Sequence, residues 1–235
     1  MCTQMTCDDS GMHPDPGQNS ANPESLPLFP LGTAVFPGSL LPLQIFELRY
    51  LQMVGECERQ GTHFGVVTLT RGGEVHQPGQ PAELFEPVGT RMQLVSVRRP
   101  RPGLVNIWCR ALDIFVVNQT HQRSDGLWRG EVDKLAPEPD LLVPQHLLYL
   151  SDQMRDALQR LQDDGMDPQP WPQPWRLEDC SWLSYRWCEL LPLPTAMKYR
   201  LLALREPLMR LELIGDMVTP QPPSRSDHPG SGALK

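Results

Sequence analysis

Cysteine and histidine are the most reactive side chains in this sequence, because a thiolate beside an imidazole base can attack a carbonyl group. Cys57 and His63 lie close together along the chain, and Cys109 is a second candidate nucleophile. A hydrolase that uses Cys57 or Cys109 is therefore one hypothesis. However, Cys57, Cys109 and Cys188 fall on apolar faces of predicted elements, which favours reduced thiols packed in a core.

Motifs of the common enzymes and metal sites are missing from the sequence. The six cysteines form no C-x-x-C pair. None is separated from a histidine by the short sequence spacing that is typical of zinc sites. The phosphate loop, the G-x-S-x-G elbow, the H-E-x-x-H helix and the G-x-G-x-x-G turn are also absent. We therefore expect no catalytic residue, no metal and no cofactor, and hence a protein that is not an enzyme.

The charge of the chain is unfavourable for nucleic-acid binding, since proteins that bind nucleic acid depend on clustered lysine and arginine. The formal net charge is −7. The most basic segment contains Arg98, Arg99 and Arg101 and is interpreted as a solvated strand end and turn. Nucleic acid is thus not an expected partner.

Composition divides the chain into a folded part and two tails. Residues 1–24 and 219–235 lack the apolar side chains that could offset the entropy of ordering them, so we expect both to be disordered. The folded part is then 25–218. Neither a signal peptide nor a run of about 18 apolar residues occurs, which predicts a soluble, cytoplasmic protein with no membrane partner.

Short apolar runs bounded by glycine or proline dominate the first half, and such runs are typical of strands. They cover 26–31, 34–36, 40–43, 64–70, 89–98 and 104–117. One helix interrupts them, with Gly61 as its C-terminal stop. Its apolar stripe is Phe46, Tyr50, Met53, Val54 and Cys57.

Proline is concentrated near the first strands, at Pro27, Pro30, Pro37 and Pro42. Because proline cannot donate to a strand ladder, these positions predict edges and sharp corners, with Pro37 and Gly38 in a type II turn. A shift in the apolar phase of the last run predicts a bulge near Arg110. Together these corners favour a small sheet, closed or nearly closed like a barrel, over 25–137.

Helical periodicity replaces the strands in the second half, over 138–218. One apolar stripe predicts a helix over about 141–163. Two or three further helices begin near Asp179 or Ser181, at Thr195 and at Pro207. The buried face of the last helix is expected to contain Leu208, Leu211, Ile214 and Val218. Strands first and helices second indicate an α+β architecture.

Trp171 and Trp175 lie in the proline-rich segment PQPWPQPW and could bind a peptide. They could present rigid aromatic anchors, since tryptophan often dominates binding energy. The interpretation that we favour is that both fold back and hold the loop against the helices. The other tryptophans are expected in a strand at one barrel mouth (Trp128) or in the core (Trp108, Trp182 and Trp187).

Two segments resemble the N-terminal, substrate-binding domain of Lon proteases. The first is LPLFPLGTAVFPGSLLPLQIFELRYLQMV, with its Phe-Pro-Gly turn at Phe36–Gly38 and the IFELRY entry to the first helix. The second is SWLSYRWCELLPLPTAMKYRLLALREPLMRLELIGDMV, which is similar to the closing helices of that domain. The resemblance extends over roughly 25–218.

This resemblance implies a PUA-like β pseudo-barrel followed by a C-terminal helical lobe. It also implies a stand-alone, bacterial-type member without the ATPase and Ser-Lys protease domains of full-length Lon. The implied function is non-catalytic binding of unfolded or extended polypeptide, or of a protein partner, in a groove between the lobes. Candidate binding residues are Trp171, Trp175, Arg49 and Tyr50, although a structural role is favoured for the last two. RNA binding by the PUA-like domain is the alternative function.

Overall fold

The fold combines a six-stranded sheet with five α-helices in the described part of the chain, which is residues 24–73, 82–164, 171 and 173–218 of a computed structural model. The strands are β1 Glu24–Leu31, β2 Leu40–Ile45, β3 Phe64–Arg71, β4 Leu84–Arg101, β5 Leu104–Gln122 and β6 Trp128–Lys134. The helices are α1 Leu48–Gln60, α2 Leu148–Asp163, α3 Cys180–Leu190, α4 Thr195–Ala203 and α5 Pro207–Val218. Apart from Glu24, both tails lie outside the described residues, and their disorder stays a prediction.

The strand order is β2-β5-β4-β3-β1-β6, and β6 also pairs with β5. Each of the strands β1, β3, β4, β5 and β6 therefore pairs with two others, so that these five strands form a closed series. Strand β2 pairs only with β5 and is an edge strand. Only β1 and β3 run parallel. The α+β prediction is confirmed, with the strands forming one lobe and α2–α5 the other.

The two prolines of β1 lie within one strand rather than at corners between strands, but each occupies a local edge, as predicted. β1 pairs with β6 over Glu24–Leu28 and with β3 over Leu28–Leu31. Pro27 thus borders only β6 and Pro30 borders only β3. Each proline lies where one side of the strand has no ladder partner, so the missing N–H group is tolerated.

The segment between β1 and β2 is not the strand predicted at 34–36. Val35 and Phe36 are buried in two different hydrophobic cores, so the segment passes between them instead of joining a ladder. The Thr90 hydroxyl donates to the Val35 carbonyl at 2.6 Å. The predicted turn follows, and Gly38 has φ of +85°, as the third residue of a type II turn requires.

Two predicted features lie a few residues from their expected positions. The bulge of β5 is at Leu112–Asp113 rather than near Arg110, between the residues that pair with Thr90 and Met92. Helix α1 begins after Phe46, which is 51% exposed, whereas the rest of its predicted stripe is buried. Gly61 ends α1 in the left-handed conformation, as predicted.

The long helix predicted from 141 begins instead at Leu148, after a 3-10 turn at Gln145–Leu147. Pro144 disfavours helical geometry at Val143, whose N–H donates to the Glu178 carbonyl at 2.9 Å. Three further helices follow, and Asp179 caps the first of them by accepting from the Trp182 N–H at 2.7 Å.

Three cores lie beneath the described elements. The smallest lies among the strands and contains Leu28, Val67 and Phe115. Of the two larger cores, the first fills the space between the sheet and α1, and the second joins Ala34, Phe36 and Ile114 of the first lobe to α2–α5. Leu211 and Ile214 belong to this second core, but Leu208 is 39% exposed, so its predicted burial is wrong. The tryptophans predicted in the core, namely Trp108, Trp182 and Trp187, are only partly buried.

Candidate functional site

A cleft of about 380 Å³ lies between the two lobes, and we call it the interlobe cleft. Its sheet side consists of the Pro37–Gly38 turn, the Leu112–Asp113 bulge and the end of β6. Its helical side includes Trp182 and Tyr185 from α3. The turn and the bulge, both local interruptions of regular strands, thus shape one wall of the cleft.

A second depression of about 620 Å³ adjoins the cleft, and we call it the leucine groove. Its apolar lining is Leu141, Leu142, Trp175 and Leu177. Leu142 is 80% exposed, the largest exposure among the big apolar side chains of the described residues. Asp140, Arg176 and Asp179 line both depressions, so the two form one continuous surface.

A short antiparallel contact holds the leucine groove in shape. The Val143 N–H donates to the Glu178 carbonyl at 2.9 Å, and the Cys180 N–H donates to the Leu141 carbonyl at 2.8 Å. Because side chains alternate along an extended segment, Val143 points into the core while Leu142 points outward. The exposure of Leu142 is therefore fixed by backbone hydrogen bonds.

Surface ion pairs separate the cleft from the leucine groove. Arg176 Nη2 contacts Asp140 Oδ1 at 3.0 Å and Asp179 Oδ2 at 2.9 Å. Asp140 and Arg176 are largely exposed, and exposed pairs contribute only about 0–1 kcal/mol. The pair with Asp140 is therefore weak, whereas the carboxylate of Asp179 is mostly buried.

The linker between the lobes is anchored at Glu138, which lines the cleft. Glu138 accepts hydrogen bonds from Arg210, Tyr185 and Ser181. Burial acts to raise the pKa of Glu138, but the charge and hydrogen bonds of Arg210, with those of Tyr185 and Ser181, hold this pKa below its usual value. Glu138 is therefore an ionised structural anchor.

Trp171 and Trp175 both fold back onto the helical lobe. Trp171 is buried, and its indole N–H donates to Glu189. Trp175 is partly buried, donates its indole N–H to the Trp171 carbonyl at 3.1 Å and lines the leucine groove. Of the two tryptophans, only Trp175 presents a surface to that groove.

Arg49 and Tyr50 are buried at the start of α1 and line neither the cleft nor the groove. Arg49 donates to Glu83 at 2.7 and 3.2 Å and to the Gly126 carbonyl at 3.1 Å. Its guanidinium lies 4.5 Å from the centre of the Tyr50 ring, and burial raises the pKa of Tyr50. The four predicted binding residues are therefore not brought together in one site.

The candidate thiols are unfavourable nucleophiles. Burial raises the pKa of Cys57 and raises that of Cys109 to about 12, whereas a nucleophile needs a lowered pKa. Cys57 and His63 do line a common cavity of about 250 Å³. Cys188 is buried as well. The described residues include no cluster of three potential metal ligands and no helix that could span a membrane.

The basic segment lies at the end of β4 and the turn to β5, as predicted. Arg98, Arg99 and Arg101 are exposed, and Arg99 pairs with Glu58 of α1. No other feature of this turn marks it as a binding surface. RNA binding stays a hypothesis.

Sequence reasoning does not single out the leucine groove. The sequence pattern places Leu141 and Leu142 at the start of the long helix, Asp140 in the linker and Arg176 in a loop. The available signal is Val143-Pro144, because a residue before proline avoids helical geometry. That signal places Leu141 and Leu142 in an extended segment outside the helix.

A sheet lobe joined to a helical lobe, with a cleft between them, defines an architecture, and architecture alone does not define a function. Residues 25–219 match the model of the ATP-dependent protease La (LON) substrate-binding domain. The chain belongs to this family. No curated protein matches it significantly.

Two solved structures are similar to the chain. The crystal structure of a Lon N-terminal domain protein from Xanthomonas campestris has a TM-score of 0.62 and 29% sequence identity. The match covers 82% of this chain and 98% of that one. The N-terminal domain of the Mycobacterium avium complex Lon protease has a TM-score of 0.54 at 16% identity, covering 82% and 97% of the two chains. The second likeness supports the fold alone.

Proposed function

We propose that this protein is a non-catalytic module that binds unfolded or extended polypeptide along the interlobe cleft and the leucine groove. The observation that carries the proposal is the exposed side chain of Leu142, held outward by backbone hydrogen bonds beside Trp175. An apolar side chain in this position stabilises a complex when a partner covers it. Membership of a substrate-binding family supports the same function.

The continuity of the surface favours an extended chain. The cleft and the groove are two adjoining depressions separated only by the side chains around Arg176. An extended chain directs alternate side chains to the same face, so side chains two residues apart can occupy first one depression and then the other. Alternate apolar residues would then face Tyr185 in the cleft and Leu142 in the groove.

The four residues predicted from the sequence take different roles in this proposal. Trp175 contacts the bound chain, because it lines the groove. Trp171 positions the loop that carries Trp175. Its carbonyl accepts from the Trp175 indole N–H, and its own indole N–H donates to Glu189. Arg49 and Tyr50 stabilise the first lobe and do not contact polypeptide.

Binding of a permanently unfolded, carboxymethylated protein to the Leu142→Ser variant tests this proposal. Leu142 is exposed, so its replacement should leave the melting temperature nearly unchanged. We expect the affinity for the unfolded protein to fall about fivefold or more, because the apolar contact area is lost. The measurement is a titration followed by fluorescence anisotropy.

Leu190→Ser is the matched control. Leu190 is 44% exposed at the far end of α3, whose eleven residues span about 16 Å. This variant should bind like the wild type. Equal affinity of all three proteins for the unfolded protein, or no saturable binding by any of them, would contradict the proposal.

A further inference from the structure

Arg186 of α3 is a fully buried cation at the junction of the two lobes. Its guanidinium lies between two indoles, with Cζ 5.9 Å from the centre of the Trp171 ring and 5.7 Å from that of Trp182. Burial acts to lower the pKa of Arg186. Such a group requires partners for its N–H donors, since a buried charge without them is destabilising.

The partners of Arg186 satisfy only part of the guanidinium. Nη2 donates to the Pro37 carbonyl at 2.7 Å and lies 3.3 Å from Ser39 Oγ and 3.2 Å from Glu189 Oε1. Nε lies 3.2 Å from Glu189 Oε2, but not in a direction that forms a hydrogen bond. Nη1 has no hydrogen-bond partner among the described residues.

The unpaired Nη1 points toward the wall of the interlobe cleft. A Cβ atom placed on Gly38 would lie 3.4 Å from Nη1, and Gly38 is itself an exposed residue of the cleft lining. Trp182, on the opposite side, also lines the cleft. Gly38 and Trp182, which both line the cleft, therefore lie next to the Arg186 guanidinium.

The acidic side chains of the cleft already have cationic partners. Asp113 pairs with Arg91 and Lys134, and Glu138 pairs with Arg210 and Arg205. Asp140 and Asp179 pair with Arg176. Glu189 is shared by Ser39, Trp171 and Arg186. No carboxylate of the cleft lining is thus available for Nη1.

We propose that the interlobe cleft accepts a carboxylate of the bound polypeptide, which bonds to Arg186 Nη1 beside Gly38 after the wall of the cleft moves aside. The carboxylate is either the C-terminal group of the chain or an Asp or Glu side chain. A planar guanidinium with one free N–H₂ group is suited to such a ligand, and bonds between charged groups are stronger than neutral ones. This inference rests on the proposed function and specifies the chemistry of the ligand.

Peptides with matched ends test the inference on the unmodified protein. The probes are a short unstructured peptide rich in leucine and phenylalanine, made with a free C-terminal carboxylate or a C-terminal amide. A third and a fourth peptide, both amidated, carry an internal glutamate or glutamine. We expect a carboxylate-bearing peptide to bind at least about tenfold more tightly than its neutral partner. The pair that differs identifies the source of the carboxylate.

Gly38→Ala is the variant that restricts access to Arg186 without removing the arginine. The added Cβ would lie 3.4 Å from Nη1, between this atom and a ligand in the cleft. Gly103→Ala is its control, since Gly103 also has positive φ but a Cβ added there would have no atom within 4 Å. We expect Gly38→Ala to reduce the preference for carboxylate, measured within the variant as the ratio of its affinities for the charged and the neutral peptide. Gly103→Ala should keep this preference.

The outcomes separate the two proposals. Equal affinity for charged and neutral peptides overturns the role of Arg186, because a carbonyl oxygen would then serve as well, but it leaves polypeptide binding intact. A preference that is undiminished in Gly38→Ala also overturns it, since cations of the cleft lining would be responsible. Failure of every peptide to bind overturns both this inference and the proposed function.

Discussion

Arg210 of α5 and Glu138 of the linker form a buried bidentate pair, with Nη2 to Oε2 at 2.6 Å and Nη1 to Oε1 at 3.0 Å. The guanidinium also lies 4.0 Å from the centre of the Tyr185 ring. Tyr185 in turn donates to Glu138 at 2.6 Å. This network joins the linker to α3 and α5. It therefore fixes the positions of Glu138 and Tyr185, which both line the interlobe cleft.

Replacing Arg210 with methionine should destabilise the protein strongly. The change leaves Glu138 buried without its main partner, which costs about 3–5 kcal/mol. Arg155→Met is the control, because Arg155 and Asp152 form an exposed pair and the change should cost less than about 1 kcal/mol. Urea unfolding measures both, and a similar small loss in the two variants would contradict this role of Arg210.

Glu138 should make stability depend on pH in the acidic range. Its folded-state pKa is held below the unfolded value of about 4.3, so its contribution is fully present above that value. The contribution is lost as the pH falls toward the folded-state pKa. The difference in unfolding free energy between wild type and Glu138→Gln should therefore narrow below about pH 4. A difference that stays constant from neutral to acidic pH would disprove the assignment.

Gly65→Ala should destabilise the sheet lobe. A Cβ atom at Gly65 would lie 2.5 Å from Phe115 Cζ, so the ring must shift inside a packed core, at a cost of about 1–3 kcal/mol. Gly55→Ala in the middle of α1 is the opposite case, because its Cβ would meet only Arg59 Nη1 at 3.6 Å. That change should stabilise by about 0.5–1 kcal/mol. Thermal unfolding compares the two, and a stable Gly65→Ala protein would contradict the close packing of Phe115.

Arg49→Ala should lower stability more than it lowers binding. Arg49 connects α1 to Glu83 and to the Gly126 carbonyl, and removal of such a buried partner costs about 3–5 kcal/mol. Among molecules that remain folded at low temperature, affinity for the unfolded protein should match that of the wild type. Lost binding with an unchanged melting temperature would reverse this ranking and make Arg49 a binding residue.

Periodicity and residue type are sufficient to predict the α+β order, most of the stripe of α1 and the starts of the last three helices. These features depend on local spacing, as in Tyr50, Met53 and Cys57 or in the Asp179 cap. The pairing of β6 with β1 joins segments that are far apart in the sequence, and local spacing does not encode it. Tertiary packing also decides which apolar residue is covered, which explains why Leu208 is exposed and Trp171 is buried.

The candidate site is harder to predict than the fold for the same reason. The leucine groove forms because Leu141–Val143 contacts Glu178–Cys180, which are far apart in the sequence. The unpaired Nη1 of Arg186 is visible only when its neighbours from both lobes are in place. By contrast, the family resemblance rests on two contiguous segments and is confirmed over 25–219.

Site-specific photo-crosslinking tests polypeptide binding along the interlobe cleft and the leucine groove most directly. A benzophenone amino acid is placed at Leu142 in one protein and at Leu190 in another, and each is irradiated with the carboxymethylated unfolded protein. We expect a crosslinked product from position 142 that excess unlabelled client suppresses, and little product from position 190. Equal yields at the two positions, or no product at 142, would contradict binding along this surface.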